Sequence, residues 1–69
     1  MTDDKFKISL EAARINAGVK SREKAGELIG VHKDTVYSWE SGRTLPDLKY
    51  IPAIEKAYHI PYDRIRFAT

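Results

Sequence analysis

Lys33, Asp34, Tyr37 and Ser38 are the side chains whose types and spacing carry the most chemistry in this sequence. Offsets of one, four and five residues put them on one face of a helix, where they offer an ammonium, a carboxylate, a phenol and a hydroxyl. That is a set of donors and acceptors for recognition. The chain has no nucleophile, histidine and acid at catalytic spacing, no glycine loop that would cradle phosphates, and no carboxylate pair directed into a pocket. An α-helix fits the DNA major groove, where every base pair presents a distinct pattern of donors, acceptors and methyl groups, so these four are candidate base readers. Lys33 can donate to O6 and N7 of guanine, Ser38 can bond several bases, and Tyr37 can pack on a thymine methyl or reach a phosphate. Asp34 can accept from a cytosine amino group, but an acid early in a helix also satisfies free backbone amides, and that is its more ordinary role.

The elements that must present this face lie between Ser21 and Pro46. Ala25, Gly26 and Ile29 form the inner face of one short helix, Gly30 makes a turn, and Val31, Val36 and Trp39 fill the far side. Two helices crossing steeply over so short a turn can approach only where the contact residue has almost no side chain, which points to Gly26 and Gly30. Trp39 falls with Val36 on the inner face and reads as core. The pattern predicts a helix-turn-helix.

The 69 residues have room for one domain with a limited core. Cysteine is absent, which excludes disulfides and thiolate-bound zinc, and His32 and His59 are too few and too far apart to hold a metal alone. No metal and no cofactor are expected. No apolar run approaches a membrane span, and the acidic start MTDDKFK is no secretory signal, so the expectation is a soluble, cytoplasmic protein. Twelve basic against ten acidic side chains leave a net charge of only +2, so the distribution of charge matters more than its sum. Lys20, Arg22, Lys33 and Arg43 should gather around the helix-turn-helix edge, with Glu27 and Glu55 facing elsewhere. Without the motif, an ordinary solvated mixed-charge surface would explain them equally well.

Along the chain, residues 1–7 read as a flexible charged arm and 8–69 as a single domain. Ser9 is placed to cap a first helix carrying Leu10, Ala13 and Ala17 inward, with Gly18 as its stop. Ser21 caps the second helix, and the third begins near His32 or Lys33 and ends around Ser41 and Gly42. His32 can cap that helix or touch a phosphate, and His59 reads as surface. Asp47 opens a fourth helix with Leu48, Ile51, Ile54 and Tyr58 inward, which Pro52 either kinks or starts. Pro61 opens a fifth, short helix, and Ile65 and Phe67 fold back on the core. The expected architecture is all-α, a compact five-helix bundle.

The run G-V-x-K-D-T-V-x-x-W-E-x-G-x-x-x-P, Gly30 to Pro46, together with Arg14 and Gly18, resembles the DNA-binding domain of the phage Cro and lambda-repressor family. The likeness extends from about Ser9 to Phe67. It implies a lambda-repressor-like fold with its helix-turn-helix in the second and third helices, phosphate contacts from Ser21, Arg22, Thr35, Arg43 and Thr44, and a structural salt bridge between Arg14 and Glu40. The family usually carries glutamine where this chain has Arg22, and its turn before Ser21 is commonly one residue shorter. Arginine can still hold a phosphate through two nitrogens.

These observations imply a regulator that binds double-stranded DNA in a sequence-specific way, most simply a small phage or bacterial repressor acting as a homodimer, without enzymatic activity or a small-molecule ligand. By the same resemblance, Tyr50, Tyr58, Tyr62, Arg66 and Phe67 are candidate dimer contacts. The alternative is an antitoxin-like protein-interaction module on the same scaffold, since a fold does not settle a function.

Overall fold

The structure, a computed structural model, describes residues 6–67. Its elements run in the order β1 (Ile8–Ser9), α1 (Leu10–Asn16), α2 (Arg22–Ile29), α3 (Lys33–Ser41), a 3-10 turn at Leu48–Tyr50, α4 (Ile51–Tyr58), a second 3-10 turn at Tyr62–Arg64, and β2 (Ile65–Arg66). Residues 1–5 of the segment read as an arm lie outside the described residues.

Local chemistry starts the helices. Ser9 Oγ accepts from the Ala12 amide and Ser21 Oγ from the Lys24 amide, both at 3.0 Å, and each satisfies one of the free donors of a first turn. At α3 the acceptor is His32 Nδ1, 3.1 Å from the Asp34 amide. Asp34 itself is 84% exposed, with its carboxylate 3.6 Å from that ring nitrogen.

All seven to nine residues of each helix are too few for stability in isolation, so packing must hold them. Leu10 and Ala13 of α1, Ala25 and Ile29 of α2, Val36 and Trp39 of α3, and Ile54 and Tyr58 of α4 close around one core with Val19 and Ile65. The Trp39 ring meets Tyr50 at a centroid distance of 5.6 Å. Between α2 and α3 the Gly26 carbonyl accepts from both the Gly30 amide at 2.7 Å and the Val31 amide at 2.9 Å. A Cβ on Gly26 would collide with the Val31 carbonyl oxygen, and Gly30 sits at φ 96°, so both positions require glycine for the turn to close.

The fold is mostly helical, but four α-helices are present among the described residues where the sequence suggested five. After Pro61 the chain makes only the single 3-10 turn, its Tyr62 amide held by the Glu55 side chain at 2.8 Å. The β-branched Ile65 then extends and pairs in parallel with Ile8, joining the two ends of the domain. Leu48 also departs from its expected inward position. Asp47 makes no side-chain cap, Pro52 lies in the first turn of α4, and the true helix therefore starts at Ile51, which leaves Leu48 outside its register and 86% exposed.

Candidate nucleic-acid interface

The first turns of α2 and α3 open onto a common cleft of about 400 Å³, lined by Ser21, Arg22, Glu23, Lys33, Asp34 and Tyr37. Five of the residues singled out for base or phosphate contact thus meet in one place. Lys33 and Asp34 are exposed, and the Tyr37 ring is 47% exposed. Ser38 and Thr35 are half-buried and do not line the cleft. Instead the Ser38 carbonyl anchors the following loop, accepting from the Arg43 amide at 3.0 Å and the Thr44 amide at 3.3 Å, which leaves both loop side chains exposed at the far end of α3. Lys20 is exposed on the turn before α2.

The cleft is not uniformly basic, since the charges of Glu23 and Asp34 formally cancel those of Arg22 and Lys33. Arg22 is further compensated from behind. Its Nε donates to Glu40 Oε1 at 2.7 Å, and an Nη lies 3.5 Å from Glu11 Oε2. The hydrogen bond to Glu40 raises the Arg22 pKa above its ordinary value, so the side chain stays charged. Glu40 is 2% exposed, and its other oxygen accepts from Arg14 Nε at 2.7 Å, while Arg14 Nη1 donates to the Val19 carbonyl at 2.9 Å. This carboxylate therefore ties α1, α2 and α3 together. In front, the Arg22 guanidinium carbon lies 5.1 Å from the centroid of the Tyr37 ring.

Sequence reasoning paired Glu40 with Arg14 and missed its second bond to Arg22, 18 residues away. No helical spacing signals a contact between residues that far apart. Of the residues suggested for dimer contacts, Tyr58 is buried in the core at 3% exposure and Tyr50 packs on Trp39, whereas Tyr62 is exposed. Among the described residues no group of histidine and acidic side chains is placed to hold a metal ion, and no helix is long and apolar enough to cross a membrane.

A structural turn fixed by Gly26 and Gly30, followed by a helix that presents polar side chains from its first turns, defines a helix-turn-helix domain. The chain belongs to the Cro and lambda-repressor type of helix-turn-helix family, whose family model, described as Helix-turn-helix, matches residues 10–65. The family is one of regulators that bind double-stranded DNA and are typically not enzymes. No curated protein and no solved structure matches the chain.

Proposed function

We propose that the chain is a sequence-specific transcriptional repressor of phage or bacterial origin that binds a palindromic operator as a homodimer. The observation that carries this reading is the exposure of Lys33, Asp34 and Tyr37 on the first turns of α3, beside the start of α2. In a major groove, Lys33 would donate to guanine, Tyr37 would pack on a thymine methyl, Ser38 would follow at the next turn, and Asp34 would accept from a cytosine amino group. The half-buried setting of Ser38 makes it the most restricted of the four. Phosphates would be held by Ser21 and Arg22 at one end and by Thr35, Arg43 and Thr44 towards the other. Two copies would place their reading helices about 34 Å apart, one turn of DNA. Repression would act by occluding the operator.

Because Arg22 shares its charge with Glu40 and Glu11, counterion release must come chiefly from Lys20, Lys33 and Arg43. Binding to random duplex DNA across a salt series tests this. With about six to eight phosphates contacted per dimer, log affinity should fall against log salt with a slope of about −5 to −7, and Lys33→Ala with Arg43→Ala should flatten it. Absence of binding at low salt would sink the reading. It would favour the alternative of a protein-interaction module, which the apolar surface of Leu45, Leu48, Ile51 and Tyr62 supports. In the repressor reading that same surface is available to a second copy.

A further inference from the structure

We propose that Arg22 is a positioning residue for Tyr37, and that it thereby sets the base preference at the pair this ring reads. The proposal rests on the assignment of α3 as the reading helix. It differs from a phosphate role for Arg22, which concerns affinity and carries no sequence information.

The argument starts from the ring. At 47% exposure Tyr37 is not fixed by core packing, and an unfixed side chain must lose its rotamer freedom when it docks. The guanidinium 5.1 Å from the ring centroid offers a cation to its electron-rich face. That guanidinium is itself held in place, because its Nε is bonded to a carboxylate only 2% exposed, and the same carboxylate is fixed by Arg14, which is 4% exposed and bonded to the Val19 carbonyl. A continuous series of contacts thus runs from the turn behind α1, through Glu40, to the ring on the exposed face of α3. Arginine suits this place better than lysine. Its planar fork can bond Glu40 along one edge while its face meets the ring, whereas the compact ammonium of lysine retains the charge and loses that geometry. Pairing with Glu40 compensates part of the Arg22 charge, so positioning the ring is a role beside its proposed phosphate contact and not instead of it.

The test is selection of duplexes from a random library by wild type, Arg22→Lys, Tyr37→Leu and the double variant, followed by affinity measurements on the enriched site and its single-base variants. The expected result is that Tyr37→Leu loses preference at one base pair per half-site by roughly tenfold. Arg22→Lys should lose preference at that same pair, keep a salt slope within about one unit of wild type, and add nothing further in combination with Tyr37→Leu. An Arg22→Lys protein that keeps the whole wild-type profile, or weakens equally on every sequence, would overturn the positioning role and leave the reading of α3 standing. A wild-type protein that enriches no sequence would instead remove the reading helix, and the positioning role with it. A second measurement needs no DNA and no variant of Arg22. In the folded protein, the Arg22 side-chain methylene resonances should be shifted upfield by the Tyr37 ring, keep that shift in Tyr37→Phe, and lose it in Tyr37→Leu. Unshifted Arg22 resonances in the wild type would overturn the contact itself.

Discussion

Glu40 receives Arg14 Nε on one carboxylate oxygen at 2.7 Å, and its other oxygen is occupied by Arg22 at the same distance. The two arginines are not equivalent, because Arg14 is 4% exposed and Arg22 is 37% exposed. Glu40→Ala would leave the buried Arg14 charge with only the half-exposed Glu11 carboxylate, 3.7 Å away, at a cost approaching about 3 kcal/mol. A 69-residue domain has only about 3 to 10 kcal/mol in total, so this variant should lose much of its stability in urea unfolding. Arg22→Ala leaves Glu40 paired with Arg14 and should cost only about 1 kcal/mol. Equal losses for the two variants would contradict this division of roles.

Gly26→Ala opposes two effects of similar kind. Alanine favours a helix interior over glycine by about 1 kcal/mol, whereas the added Cβ meets the Val31 carbonyl oxygen, which is backbone and already part of the turn. Overpacking against a fixed group costs about 1 to 3 kcal/mol, so the steric effect should win and the midpoint of unfolding should fall. A more stable Gly26→Ala protein would mean that α2 and α3 can separate without penalty.

Among the described residues the buried Tyr58 hydroxyl has no hydrogen-bond partner, and burial, reinforced by the nearby Glu40 charge, pushes its pKa up to about 12 from 10.0. The folded state therefore holds this proton more tightly than the unfolded chain. The associated stability is complete below about pH 10 and is lost as pH rises from there towards 12, at up to about 1.4 kcal/mol per pH unit. Tyr58→Phe should make that alkaline limb shallower. At pH 7 it should be close to neutral or slightly stabilising, since it removes an unsatisfied polar group and keeps the ring. Urea midpoints measured from pH 7 to 11 for both proteins check the sign and the slope.

Among the described residues Leu48 is the most exposed of the large apolar side chains, at 86%, and lies beside Leu45, Ile51 and Tyr62. It contributes little to the core of its own chain, so Leu48→Lys should change the unfolding free energy of the monomer by no more than about 0.5 kcal/mol. In the homodimer reading the same change should weaken self-association in sedimentation equilibrium. A dimer indifferent to Leu48→Lys would place the contact on another surface.

What was legible in the sequence was what short-range chemistry decides. The serine caps act over three residues, the Gly26 to Gly30 turn is local, and Val36 and Trp39 repeat within one helix, so the central pair of helices could be read directly. The C-terminal part depended on competition that no local pattern reports. Asp47 resembles a cap and makes no cap bond, so a helix phased from it begins three residues before the true start at Ile51 and turns Leu48 inward. Ile65 resembles the end of a helix and instead pairs with Ile8 at the opposite end of the chain. At the site, residue types were legible but electrostatics were not. Arg22 suggested free charge for a phosphate, and only the folded arrangement brings it onto Glu40.

Ser21 separates stability from recognition most cleanly. Its Oγ accepts from the Lys24 amide, while its hydroxyl proton is free to donate into the cleft that a phosphate would occupy in the repressor reading. Ser21→Ala removes both roles, and should cost about 1 kcal/mol of stability and some affinity for duplex DNA. Ser21→Asp keeps the capping acceptor and favours the positive end of α2, so its unfolding midpoint should equal or exceed wild type. The same carboxylate adds an anion where the backbone of DNA must approach, and affinity at low salt should fall by at least tenfold. A Ser21→Asp protein that is stable and still binds DNA like wild type would move the phosphate backbone away from the start of α2.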